Sequence, residues 1–170
     1  MELNRYIRDI PDFPKKGVIF RDITPLLQDP SALFGAKKEL VRLLGNIRVD
    51  KVVGMESRGF FFAPMLAVHL NAGFVPVRKP GKLPFSTVSE IYSLEYGQDA
   101  LEMHSDAIIP GDKVLVHDDV LATGGTASAV CKLVERLGGE VVQCNFLLEI
   151  GHLMGREMLK GYSISSLMRY

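Results

Sequence analysis

Short runs rich in β-branched and aliphatic residues alternate along this chain with longer runs whose apolar positions recur at helical spacing. That alternation is expected of strands joined by crossover helices, and it predicts an α/β fold: a parallel twisted sheet flanked by helices. Asp29 as N-cap and Pro30 at the first helical position announce the first helix, with Leu33, Leu40, Val41 and Leu44 on one face and Gly45 at its end. Residues 51–55 read as a buried strand, 60–70 as a helix stopped by Asn71 and Gly73, and 74–77 as a second strand. From 78 to about 90 the chain carries Pro80, Gly81 and Pro84 and reads as a long loop, for which a β-hairpin over 91–103 is one continuation. Loops of that length inside compact domains are usually functional or mobile. A third strand is predicted over 113–117, a helix over 127–137 closed by Gly138 and Gly139, and a fourth strand over 141–148. The tail holds a short helical stretch near 156–159 and a strand-like run over 162–167.

Composition narrows the class. At 170 residues with 47% apolar content, one domain over 1–170 with a single core is expected. Twenty basic residues offset twenty acidic ones, so the net charge offers no footprint for nucleic acid, and any anion site has to be local. Cys131 and Cys144 form no C-x-x-C pair and read as packing residues of a reduced compartment. The charged N-terminus does not suit a signal peptide, and the apolar run over 60–70 is too short to span a bilayer. A soluble cytoplasmic protein without a membrane partner is expected. His69, His104, His117 and His152 share no metal-ligand spacing.

The chemistry concentrates in Val114-Leu115-Val116-His117-Asp118-Asp119-Val120-Leu121-Ala122-Thr123-Gly124-Gly125-Thr126: a strand, two adjacent carboxylates, a small-residue loop and a helix. Gly124 and Gly125 let the backbone turn tightly with its N–H groups in one concavity. Thr123 and Thr126 add hydroxyls, and the helix presents its positive end, which together suit a phosphate monoester. Asp118 and Asp119, at the carboxyl edge of the sheet, suit hydrogen bonds from a sugar diol. A Gly-Gly turn alone is equally consistent with a plain connector, and the complete pattern is far more specific. A second segment, Glu56-Ser57-Arg58-Gly59, opens at the same edge, where Arg58 can pair with an anion; an isolated arginine in such a loop is more often simply solvated.

The 114–126 segment closely resembles the phosphoribosyl pyrophosphate signature of the type I phosphoribosyltransferases. The resemblance implies that Ala122, Thr123, Gly124, Gly125 and Thr126 bind the 5′-phosphate and that Asp118 and Asp119 hold the ribose hydroxyls. It also implies that Glu56, Ser57, Arg58 and Gly59 form the pyrophosphate loop, assisted by Arg78, Lys79 and Lys82. Gly17-Val18-Ile19-Phe20-Arg21-Asp22-Ile23-Thr24-Pro25 and Tyr92-Ser93-Leu94-Glu95-Tyr96-Gly97 resemble the adenine-specific members, and the likeness runs essentially end to end, including Gly155-Arg156-Glu157.

In that branch the residues 1–34 form a hood, and 78–106 a mobile catalytic loop. Phe20 is implied to stack on the purine with Leu121 opposite, while the backbone at Ile19 and Arg21 meets its Watson–Crick edge. By composition alone Phe20 would be ordinary core.

The activity implied is transfer of a phosphoribosyl group to adenine, giving AMP and pyrophosphate. Mg²⁺ would be bound mainly through phosphoribosyl pyrophosphate, with no direct protein ligand. Glu95 is the implied acid/base and Arg58 a catalytic cation, in a homodimer. Glu95 as a solvated hairpin charge is the plainer reading. Enzymes acting on other bases, and a regulator that only senses phosphoribosyl pyrophosphate, are the rivals. The adenine-type segments count against the first, and the lack of a basic winged-helix segment before Asp22 counts against the second. His117 departs from the family, standing where an aliphatic strand residue is usual, and introduces a titratable group beside Asp118.

Overall fold

A computed structural model describes residues 2–93 and 98–170. The chain divides into two compact units, Met1–Glu39 and Leu40–Tyr170.

The first unit begins with a 3₁₀ turn, Leu3–Tyr6, followed by strand β1 (Arg8–Pro11), strand β2 (Ile19–Asp22) and helix α1 (Thr24–Gln28). β1 and β2 pair antiparallel, with Arg8 opposite Asp22 and Pro11 opposite Ile19. Neither strand has the apolar alternation of a buried ribbon. Ion pairs across the ribbon, Arg21 with Asp9 and Arg8 with Asp22, add to the backbone ladder. The connecting loop is closed by the Phe13 N–H donating to the Val18 carbonyl and the Gly17 N–H donating to Asp12 Oδ1. Asp22 Oδ1 then accepts from the Thr24 N–H at 2.9 Å, which satisfies an orphan donor of α1. Helix α2 (Pro30–Leu44) follows, and Asp29 Oδ1 accepts from the Ala32 N–H at 2.8 Å, so the predicted cap is in place. The unit boundary falls within α2.

The second unit is built on strands β3 (Lys51–Met55) and β4 (Gly73–Val77), joined by the 3₁₀ turn Arg58–Phe61 and helix α3 (Ala63–Leu70). The hairpin of β5 (Thr87–Ser93) and β6 (Gln98–His104) comes next, then β7 (Lys113–Leu121), helix α4 (Gly125–Arg136), β8 (Glu140–Glu149) and β9 (Ile164–Arg169). Five strands form one parallel sheet in the order β4-β3-β7-β8-β9. The chain leaves β3 toward β4 on one side and returns to β7 on the other. The connections therefore diverge between β3 and β7, and that is the crevice where open α/β sheets bind ligands. A core of Val53, Val114, Val116, Val130, Leu133 and Phe146 packs α4 against the sheet.

Several predicted boundaries move. The helix expected over 60–70 begins as a 3₁₀ turn and becomes α-helical at Ala63, because Pro64 has no N–H to donate and fits only the first turn. The predicted strand over 113–117 runs on to Leu121, carrying both carboxylates inside the sheet. Asp118 stands opposite Phe146 and Leu121 opposite Glu149, so pairing with β8 overrides the poor strand preference of Asp. The loop expected to about 90 ends at Thr87, where β5 begins.

His117 is fully buried, with Nδ1 2.6 Å from Asn145 Oδ1, its register partner on β8. Burial lowers its pKa to about 4, against a smaller opposing effect of Asn145. The ring is therefore neutral near pH 7, and strand alternation turns it to the face opposite Asp118. Between pH 6.5 and 4 the unfolded chain protonates this residue and the folded chain does not. Stability should therefore fall as pH drops through that window, by up to ~3 kcal/mol. Chemical denaturation from pH 7 to 4 should show this slope, and the paired replacement H117V/N145V should flatten it; an unchanged slope would remove His117 as its source.

Candidate active site

The carboxyl ends of β3, β4 and β7 deliver the predicted polar segments to one edge of the second unit. Directly after β3 come Glu56 and Ser57, joined by a cis peptide, then Arg58 and Gly59. Gly59 is buried in a tight space: a Cβ there would lie 3.0 Å from Asp118 Oδ1 and 3.1 Å from the His117 carbonyl oxygen, so the neighbours would have to give way. This close approach brings the two loops together. Arg58 Nε sits 3.0 Å from Asp119 Oδ2, so the arginine read as a pyrophosphate ligand is paired with the acidic motif.

Asp119 is 2% exposed and Asp118 is half-buried. Asp118 Oδ1 accepts from the Asp119 N–H at 2.9 Å. Burial and the negative charge of Asp119 push the Asp118 carboxyl well above the usual carboxylate range. Burial raises Asp119 too, and the Arg58 guanidinium opposes the rise. Two adjacent acids at a buried sheet edge are costly unless a cation or a set of donors meets them, and Arg58 is one such cation.

The residues after β4 are gathered by Glu56. Its Oε1 accepts from Lys82 Nζ at 2.6 Å, its Oε2 accepts from the Lys79 N–H at 3.0 Å, and Arg78 Nε lies 3.4 Å from Oε2. Partial burial opposes ionisation of this carboxyl, but the bonds from Lys82, Lys79 and Arg78 outweigh it and bring the pKa down to about 2. The backbone of Arg78 exchanges hydrogen bonds with Glu102 of β6, and the Gly81 N–H donates to Glu102 Oε2 at 3.1 Å. The Lys79 ammonium lies 3.0 Å from Asp99 Oδ2, which also accepts from the Tyr92 hydroxyl at 3.3 Å. The cationic turn at 78–82 is thus held between the sheet edge and the hairpin.

At the end of β7, Leu121 is buried, Thr123 is exposed, and Ala122, Gly125 and Thr126 are half-buried. Gly124 adopts φ +84° ahead of α4, and its carbonyl accepts from the Ser128 N–H at 2.9 Å. An added Cβ at Gly124 would come within 2.4 Å of the Gly155 carbonyl oxygen, so only glycine fits. A loop of small residues opening a helix beneath two carboxylates can hold a phosphate ester and its sugar.

Residues 24–160 match the phosphoribosyl transferase domain family. An adenine phosphoribosyltransferase of Christiangramia forsetii is 64% identical over 170 residues, covering 100% of this chain and 99% of its own. The chain belongs to the adenine phosphoribosyltransferases. The crystal structure of the adenine phosphoribosyltransferase from Thermoanaerobacter pseudethanolicus has a TM-score of 0.97 to this chain at 51% identity, covering 99% of this chain and 98% of that one. The Saccharomyces cerevisiae adenine phosphoribosyltransferase, solved with an imino-altritol bisphosphate and adenine, gives 0.91 at 39% identity, covering 98% and 96%.

For an adenine phosphoribosyltransferase, the edge of the second unit collects Glu56, Ser57, Arg58, Gly59, Arg78, Lys79, Lys82, Asp118, Asp119 and residues 121–126. Ile19, Phe20 and Arg21 belong to β2 of the first unit, where the Phe20 ring meets Phe13 edge-on at 5.1 Å. Glu95 lies outside the described residues. Sequence reasoning did not find Glu56 as the hub of the cations, the Asp99 and Tyr92 contacts, or the need for glycine at 155. The pattern Gly155-Arg156 was visible but named no partner.

The steric argument at Gly124 can be isolated by comparison with Gly81, which has φ +77° and nothing within 4 Å of an added Cβ. Gly81→Ala should cost ~1–2 kcal/mol, the left-handed backbone penalty alone. Gly124→Ala should cost clearly more, because the carbonyl oxygen of Gly155 must also move. Thermal denaturation of both variants compares the two costs, and equal losses would contradict the close contact.

Proposed function

We propose that this chain transfers the 5-phosphoribosyl group from phosphoribosyl pyrophosphate to adenine, giving AMP and pyrophosphate, as an enzyme of purine salvage. The observation that carries this reading is the meeting of Arg58, the Asp118-Asp119 pair and the Gly124 loop at one sheet edge. It is supported by the adenine and the bisphosphate held by the yeast relative.

In this reading Ala122, Thr123, Gly124, Gly125 and Thr126 take the 5′-phosphate, and Asp118 and Asp119 take the ribose hydroxyls. Glu56, Ser57, Arg58 and Gly59 form the pyrophosphate loop with Arg78, Lys79 and Lys82. Breaking the bond from the anomeric carbon to pyrophosphate leaves an oxocarbenium-like centre and negative charge on the departing oxygens, which these guanidinium and ammonium groups stabilise. Glu56, ionised with a pKa of about 2, keeps Arg78 and Lys82 assembled at that edge over the working pH range.

Adenine attacks through N9 and gives up its proton. Glu95 is assigned as the group that takes it. Ile19, Phe20, Arg21 and Leu121 are assigned to the base, with backbone acceptance from the 6-amino group as the source of selectivity.

Among the described residues no group of three or more His, Cys, Asp or Glu could hold a metal ion. The carboxylates of Glu56 and Asp119 are already paired with cations. In this reading Mg²⁺ would enter the site bound to phosphoribosyl pyrophosphate, and there it would supply charge neutralisation to the leaving group. Among the described residues no helix is long and apolar enough to cross a membrane. The same reading takes the protein as a cytoplasmic homodimer acting on small molecules, without a nucleic-acid or membrane partner.

Adenine should be preferred over hypoxanthine and guanine by on the order of a hundredfold or more in kcat/KM, since a backbone carbonyl facing the purine 6-oxygen is unpaired and repelled. A base-competition assay with phosphoribosyl pyrophosphate and Mg²⁺ decides this, and comparable use of hypoxanthine would end the adenine assignment. Glu95→Gln should slow AMP formation in the pre-steady state by ~10²–10⁴-fold without loss of folding. A chemical step within about threefold of the parent enzyme would take Glu95 out of the reaction.

A further inference from the structure

Next to the phosphate loop lies a set of contacts to which the proposed reaction gives no role. β8 ends at Glu149, 3% exposed and opposite Leu121 in register, and the Ile150 N–H donates to the Leu121 carbonyl at 2.9 Å. The chain then makes two 3₁₀ turns, Gly151–Leu153 and Gly155–Leu159. From the second turn Arg156 reaches back to Glu149 in a bidentate pair, Nε to Oε1 at 2.9 Å and Nη2 to Oε2 at 2.8 Å. Arg156 also donates to the Ile164 carbonyl at 3.4 Å and to Ser166 Oγ at 3.3 Å, and Ser166 donates to Glu149 Oε2 at 2.5 Å. The turn is thereby tied to β8 and β9 at once. A bidentate guanidinium–carboxylate pair on a buried acid fixes both distance and orientation, which a point-charge lysine cannot reproduce.

On its other side this turn abuts the phosphate loop, backbone against backbone. A Cβ on Gly155 would lie 2.3 Å from the Ala122 carbonyl oxygen, and one on Gly124 would lie 2.4 Å from the Gly155 carbonyl oxygen. At such separations no side chain acts as a cushion. A shift of residue 155 would therefore be transmitted to the 122–124 backbone, because close-packed groups pass displacement on.

We infer that Arg156, anchored on Glu149, is a positioning residue for the phosphate loop: by fixing Gly155 it holds the 122–126 backbone in its binding conformation. The inference rests on the assignment of that loop to the 5′-phosphate made above. The bonds from Arg156 and Ser166 keep the Glu149 carboxyl below the usual carboxylate range, so the pair stays ionised at neutral pH.

The test compares Arg156→Met, Arg156→Lys and Glu149→Gln in the full chain, with ribose 5-phosphate as the calorimetric probe. KM for both substrates and Tm are measured alongside. Misplacing a binding group from outside the site typically costs up to about a hundredfold. Arg156→Met should therefore weaken ribose 5-phosphate and raise KM for phosphoribosyl pyrophosphate by on the order of tenfold or more. KM for adenine should stay within about twofold, the signature of a defect confined to one substrate. Arg156→Lys should recover part of the loss.

A pair that serves stability alone would lower Tm and leave the ratio of the two KM values unchanged, and that result overturns the inference. If Arg156→Met does not fold, Glu149→Gln and Arg156→Lys carry the same comparison, since each weakens the pair while keeping a polar group at both positions. The double variant T123A/T126A separates the inference from its premise. If it binds ribose 5-phosphate normally, the phosphate assignment of the loop falls. If it binds weakly while the Arg156 and Glu149 variants bind normally, only the positioning role falls.

Discussion

The parallel register that sets Gly54 opposite His117 places the ends of β3 and β7 side by side, and the polar edge of the second unit follows from that pairing. Because the connections diverge at these two strands, a crevice opens between their carboxyl ends. The loop after β3 can then fold against β7 so closely that a Cβ at position 59 would press on Asp118 and the His117 carbonyl, and Arg58 falls within 3.0 Å of Asp119. The cationic turn after β4 meets the same loop through Glu56.

Charge is handled at this edge by local neutralisation. The protein carries no net charge, yet it places two adjacent acids in a strand, one buried and one half-buried, and sets Arg78 and Lys82 around a third. Each acid is held in a different state by its surroundings. Glu56 is strongly ionised because three donors converge on it, whereas burial and mutual repulsion push Asp118 upward. Such divergent environments for neighbouring carboxyls are characteristic of sites that bind charged ligands, since the ligand's own charge and donors complete the balance. Glycine at 124 and 155 serves the same edge by steric means, allowing two backbones to touch where a methyl group would separate them.

Much of the second unit was legible because its information is local. The strand over Lys51–Met55 was predicted at its observed bounds, and the helix ended by Gly138 and the strand ending at Glu149 were predicted to within a few residues. Each of these is a contiguous run whose burial makes its pattern unambiguous. The first unit was less legible. The ribbon of β1 and β2 lacks apolar alternation, and α1 is five residues, its first N–H bonded to the Asp22 side chain, too short for a helical period to register.

The acidic pair and the glycine loop could be read from the sequence because thirteen consecutive residues, 114–126, carry them, and covalent adjacency guarantees that they share one end of one strand. The sequence by itself therefore determined the fold class, the order of strands and helices in the second unit, and the chemical character of the two loops. Only the tertiary structure decided that the strand continues through its carboxylates, that Arg58 faces Asp119, that Glu56 gathers Arg78 and Lys82, and that Gly155 supports Gly124. Those contacts join residues 22 to 61 positions apart. The chain is silent about them because a side chain's partner is set by sheet register and crossover direction, which emerge only when all the strands pack together.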